Sequence, residues 1–247
     1  MQQTERRPHP LALILAAALA AFASLASCAA NLTLAVNPDG SGTLAVDARV
    51  PESAAARLRS YSAAGTAGSG PVAPLFDPAA VRREAAGRGL ATISAELPSP
   101  DRFRGSFSFR SLAAVAADPE LAKAGILRAG TTGGETTLSF RLSRDNAESL
   151  PLLFPGLDPY VLEALSPPAL DPYPAAPEEY REMLGALLGS AALRELETAE
   201  IRVQVRAPSP VVRHSGGSVS DRTFTAVIRL MDLLVLQTPI EFSVSWK

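Results

Sequence analysis

Two stretches of strict alternation flank an Asp-Gly turn in the first fifth of the chain. Leu32, Leu34 and Val36 precede NPDGSG, and Leu44, Val46 and Ala48 follow it. Period-two alternation on both sides of such a turn predicts a hairpin with one buried face. A calcium loop would also use Asp39, but the acidic spacing and terminal glutamate of an EF-hand are absent, so the turn is the better reading.

Beyond the hairpin the pattern changes period. PESAAARLRSYSAA (Pro51 to Ala64) reads as a helix with proline in its first turn, and GTAGSGPVAP breaks it as a flexible linker. DPAAVRREAAGRG starts a second helix, with Asp77 as its cap and Pro78 at the first helical position. Alternation then returns in Leu90 to Leu97 and in Arg102 to Phe109, where Phe103, Phe107 and Phe109 share a parity across an SPD turn. SLAAVAADPELAKAG is helical in pattern, ILRAG reads as a short strand, and Glu135 to Leu142 as a clear one. Strand groups separated by helices point to an α+β fold.

Residues 143–200 differ in character, being rich in proline with short helices between the breaks. LDPY occurs twice, and its aspartates, Asp158 and Asp171, read as helix starts or turns rather than as a catalytic carboxylate pair. Tyr180, Leu184, Leu187, Leu188 and Ala191 fall on one helical face, expected to be core. The final stretch is strand again: Glu200 to Ala207, a second strand near Val211, a Gly-Gly turn, and a long strand through Phe224, Ala226 and Ile228. MDLLVLQTP is a short apolar connection, and IEFSVSW closes the chain as an edge-compatible strand.

The first residues form a separate unit. Arg6 and Arg7 precede about fifteen apolar residues from Leu11 to Leu25, short of the roughly 20 that a membrane-spanning helix needs. A basic start, a short apolar core and small residues after it mark a secretory signal peptide. Leu25-Ala26-Ser27-Cys28, which holds the only cysteine of the chain, resembles the lipobox of bacterial lipoproteins. That resemblance implies cleavage between Ser27 and Cys28 and acylation of Cys28. Two or three acyl chains make a durable anchor where one is marginal, at ~0.8 kcal/mol per buried CH₂. Ala29 and Ala30 follow, where aspartate tends to retain enteric lipoproteins at the inner membrane, so the resemblance places the protein at the outer membrane if the organism has two.

The strand–DGSG–strand opening after Cys28 and the ending V-x-V-x-A-P…SGG…F-T-A…L-M-D-L-L-V-L…P-I-x-F-x-V-x-W look like the LppM-type lipoprotein domain. The likeness covers roughly the first 30 and last 50 mature residues, by the strand and turn patterns it rests on. It implies an anchored α+β domain without an assigned catalytic site, and it carries no functional residues over.

The expected organisation is a cleaved signal over 1–27, the first part of the domain over 28–142, a helical insertion or cover over 143–200, and completing strands over 201–247. The fold expected is an antiparallel sheet joining the N-terminal hairpin to the C-terminal strands, with helices on one face.

Composition narrows the chemistry. Without Glu5, Arg6 and Arg7 the mature chain holds 21 basic and 24 acidic residues and shows no basic stripe, which argues against a nucleic-acid partner. A single cysteine leaves no disulfide, redox pair or thiolate metal site within one chain. The mature chain has one histidine, His214, in a turn-like RHSGGS, and no G-x-S-x-G elbow, so a serine-hydrolase triad is disfavoured. Its two lysines, Lys123 and Lys247, sit in no phosphate-binding loop, and zinc ligands are too few. No catalytic residue, cofactor or metal is therefore expected.

The reading is a non-catalytic, membrane-anchored module binding a protein or other envelope component. The alternative is a carrier or sensor of an apolar ligand such as a lipid, with Leu150 to Leu170 and LMDLLVL lining its pocket. A carboxylate-based envelope hydrolase comes third. A dry apolar cavity would favour the carrier, and a pocket with unpaired acids the enzyme.

Overall fold

A computed structural model describes residues 28–63 and 73–247. The signal segment 1–27, with its cleavage site at Ser27, and most of the Gly/Ser/Pro linker lie outside the described residues.

The expected hairpin is present. Strand β1 (Cys28–Val36) pairs antiparallel with β2 (Gly42–Arg49), setting Leu32 opposite Val46 and Leu34 opposite Leu44. The predicted helices follow as α1 (Glu52–Ala63) and α2 (Pro78–Gly87). Asp77 caps α2 by accepting the Ala79 N–H at 2.8 Å. Next come β3 (Ala91–Ser99) and β4 (Arg102–Phe109), which join the sheet beside β2. The SLAAVAADPELAKAG stretch splits into α3 (Leu112–Ala116) and α4 (Pro119–Ala124), because Asp118 and Pro119 restart the helix with a new cap. Strands β5 (Leu127–Thr132) and β6 (Glu135–Leu142) form a second hairpin.

The proline-rich segment holds a 3₁₀ stretch (Arg144–Leu153), then α5 (Pro159–Leu165), α6 (Pro177–Leu188) and α7 (Ser190–Thr198). Asp158 caps α5 through the Tyr160 N–H at 3.0 Å, whereas Asp171 closes a turn on Tyr173 with no helix after it. Tyr180, Leu184 and Leu188 are buried as expected, but Ala191 is exposed. Gly189, at φ 85° and ψ 160°, breaks the helix there and turns the next one away.

Strands β7 (Glu200–Arg206), β8 (Val211–Ser215), β9 (Ser218–Ser220), β10 (Thr223–Arg229), helix α8 (Leu230–Val235) and strand β11 (Ile240–Trp246) complete the chain. The fold is α+β with mainly antiparallel pairing, in two sheets of order β3-β4-β2-β1-β7-β10-β9 and β5-β6-β11-β8. The N-terminal hairpin does join a C-terminal strand, but β1 and β7 run parallel, after a long crossover.

Strand β11 departs from the expectation of an edge. It leaves the large sheet and lies in the middle of the small one, between β6 and β8. Its inner residues Phe242, Val244 and Trp246 are all buried, and both backbone edges are paired. His214 likewise sits in strand β8 rather than in the turn, because only Ser215-Gly216-Gly217 makes the reversal.

The large sheet buries one face, while Val227 of β10 and Ile93 of β3 are exposed. Leu34, Leu44, Phe107 and Val205 are register partners across β1, β2, β4 and β7. Two covers share this face. Helices α1, α2, α5, α6 and α7 pack over β2–β4, burying Leu58, Phe103, Tyr180 and Leu184 in one cluster. The small sheet packs over β7 and β10, burying Leu138, Phe224, Phe242 and Val244 in another.

Candidate functional site

The two covers meet above β1 and β7, and there they do not close. Strands in a sheet rotate by roughly 20 to 25° from one to the next, so a twisted sheet of this width presents different directions to the helices and to the small sheet. The gap between them is a cavity of about 420 Å³. Its floor is the middle of the large sheet: Leu32 and Leu34 of β1, Leu44 and Val46 of β2, Ile201 and Val203 of β7. In a seven-stranded sheet covered on this face, these should be the most buried residues of all. Each instead remains only half-buried: Leu34, Ile201 and Val203 pack against the cluster under the small sheet and Val46 against the helical one, and the gap leaves the rest of their surface open.

The walls come from both covers. Phe76, Phe103, Phe107 and Val161 stand on the helical side, and Ile126, Leu138, Phe140 and Phe242 on the side of the small sheet. Gly105 makes part of this wall possible. It lies between Phe103 and Phe107 on the inner side of β4, and a Cβ there would come within 2.8 Å of both rings. The rings can therefore fold back over the strand.

Both stretches named from the sequence as pocket-forming contribute. Leu152, Phe154, Leu157 and Leu162 come from the proline-rich segment, and Leu230 and Leu234 from α8. The prolines interrupt each helix, so the backbone bends around the cavity instead of crossing it. Arg144 holds these parts together: Nη1 donates to the Pro168 carbonyl at 3.1 Å and Nη2 to the Val235 carbonyl, the last of α8, at 2.9 Å. Tyr180, fully buried, donates its hydroxyl to the Leu165 carbonyl at 2.9 Å and fixes the end of α5. Burial raises the Tyr180 phenol well above its ordinary range. The sequence places Tyr180 in the core but shows neither its hydrogen bond nor those of Arg144, since a bond from one side chain to a remote carbonyl leaves no spacing to read.

Among the described residues the lining is apolar except for Arg49 and Arg88. Arg88 caps α2, donates to the Leu152 carbonyl at 3.2 Å, and lies 4.0 Å from Glu84 and 3.9 Å from Glu120. Arg49 is half exposed and stands 3.8 Å from Asp101. Among the described residues no carboxylate is part of the wall.

Cys28 begins β1, beside the cavity-lining Ala29 and Ala30. His214 is exposed, its ring 6.4 Å from that of Phe224. Among the described residues no group of three or more His, Cys, Asp or Glu is placed to hold a metal, and no helix is long and apolar enough to cross a membrane.

Neither a family model nor a curated protein sequence matches the chain. The structure is similar to the NMR structure of the folded domain of the Mycobacterium tuberculosis LppM protein, at 14% identity and a TM-score of 0.38, over 90% of this chain and 91% of that one.

Proposed function

We propose that this protein is a non-catalytic carrier or sensor of a lipid, exported and anchored through Cys28, with the ligand's apolar part held between the two covers. The cavity carries the reading. A cavity of about 150 Å³ lined by Leu, Ile and Phe already takes up a small apolar guest. This one of about 420 Å³ is larger and lined by apolar side chains apart from two arginines, so an apolar guest that fills it takes that surface out of water.

The volume also sizes the guest. With ~30 Å³ for each water-sized group, the cavity holds about fourteen such groups, close to one fatty acyl chain. The absence of carboxylates from the described wall argues for holding over hydrolysis. The sequence favoured a protein-binding module first. The apolar cavity moves the carrier ahead of it.

Native mass spectrometry of the protein extracted from its own membrane in mild detergent tests both halves. Signal loss with acyl mass on Cys28 is the expected covalent result, and an unmodified thiol overturns the anchor. A co-purifying lipid is the expected non-covalent result. Val203 faces the cavity from β7. Val203→Phe is expected to lose both this lipid and a fluorescent fatty-acid probe, while a variant that binds the probe as before refutes the cavity as the site.

A further inference from the structure

The cavity is elongated along β1. One end is lined by Ala29, Ala30, Val50 and Pro51, and the other, beyond the far ends of β2 and β4, by Leu112, Val115 and Leu121. Those two ends differ in their relation to the anchor. Cys28 is the first residue of β1, paired with Glu200 of β7, so no loop separates it from the sheet. Ala30 lies two residues on, roughly 7 Å at ~3.3 Å per strand residue. The polar head-group region of a bilayer leaflet is about as thick, at roughly 5–7 Å.

The rim chemistry at this end agrees. Arg49 is the charged side chain of the wall there, half exposed, and Arg59 of α1 lies behind it. They share Asp101 at 3.8 and 3.6 Å. A phosphate-bearing head group fits beside the half-exposed Arg49, since guanidinium binds phosphate through paired donors. At the opposite end Arg88 is already matched by Glu84 and Glu120, two carboxylates to one cation.

We infer that the Ala29–Ala30/Val50–Pro51 end of the cavity is its mouth, seated on a phospholipid leaflet, and that lipid passes directly between leaflet and cavity without crossing water. The inference rests on the carrier reading and adds a route and an orientation to it. Each end has its own consequence. A lipid drawn in at the Cys28 end enters tail first along β1, with its phosphate left beside Arg49. The Val115 end, turned away from the leaflet, acts as the closed bottom.

The chain provides its own reporter, because Trp246 is the sole tryptophan and is buried in the cluster that forms one wall of the cavity. The acylated protein is reconstituted into phosphatidylcholine vesicles, and loading with a pyrene-labelled phospholipid is followed by energy transfer from Trp246. Ala30→Phe, a plug at the proposed mouth, is expected to slow loading at least tenfold. Ala114→Phe, exposed on α3 at the other end and outside the lining, is expected to leave the rate within twofold. Val50→Phe, also at the mouth, is the second plug should Ala30→Phe fail to fold.

Equal rates for both mouth variants and the parent overturn the route, as does slowing by Ala114→Phe alone. The parent rate is also expected to stay constant when the vesicles are diluted tenfold, and a rate that falls with dilution refutes direct transfer. Failure of the carrier reading looks different: the parent protein then gives no energy transfer even at equilibrium.

Discussion

At the residue scale, two buried or half-buried groups show how charge and hydrogen bonding hold the frame of the cavity. Asp47 projects from the solvent side of β2 and meets Arg102 at 2.6 Å and Arg104 at 3.2 Å across the strand pair. The hydrogen bond from Arg102 is the main reason that its carboxyl titrates below the ordinary carboxylate range. Asp47→Asn is expected to cost about 0.5–1 kcal/mol at pH 7, since the pair is part-exposed and screened by solvent. A depressed folded-state pKa adds stability that is complete above the unfolded value of 3.8 and is lost as pH falls through the folded one. Denaturant melts should thus separate parent and variant at pH 7 and bring them together near pH 2. Tyr180 has the opposite sign. Its raised phenol keeps the proton while the unfolded chain loses it above pH 10.0, so stability should fall as pH rises beyond that value. Tyr180→Phe leaves the Leu165 carbonyl without its donor, at a cost of about 1–3 kcal/mol, and should flatten the alkaline loss. Persistence of the alkaline loss in the variant would assign it to another group.

At the element scale, much of this fold was legible because local signals were consistent. The hairpin around NPDGSG, the Asp77-Pro78 helix start and the strand Glu135–Leu142 follow from alternation and capping alone. What the local pattern cannot carry is the partner. IEFSVSW alternates in the same way whether its strand lies at an edge or in the middle, and the parallel match of β1 with β7 joins segments about 170 residues apart. The cavity was hidden for the same reason. Leu34 on a packed face and Leu34 on an empty one have identical neighbours in sequence. Gly189 is a case where the signal was present and outweighed by a long apolar period. At φ 85° and ψ 160° it occupies a region that is essentially glycine-only, and open space surrounds the site of an added Cβ. Gly189→Ala should therefore cost about 1–3 kcal/mol through the backbone alone, read as a lower denaturation midpoint with an unchanged m-value.

At the scale of the whole molecule, the two covers make ligand binding and folding one problem. The helical cover and the small sheet each have a packed cluster of their own, and the β1–β7 floor between them packs only partly against either, so its residues stay half-buried. A guest that fills this seam binds the folded state and has no site in the unfolded chain. Its contribution follows from mass action: at a free concentration one hundred times the Kd it adds about 2.7 kcal/mol. For a chain of this length each kcal/mol moves the Tm by roughly 2–4 °C, so stripping the lipid should lower the Tm by roughly 5–10 °C. Scanning calorimetry before and after delipidation measures the shift, and adding back a fatty acid should restore it. Val203→Phe fills part of the seam from β7, so its Tm should stay within about 2 °C on delipidation, by the same relation. A parent protein that melts at one temperature whether stripped or loaded would mean that the covers support each other without a guest, and the seam would then be a tolerated void rather than a binding site.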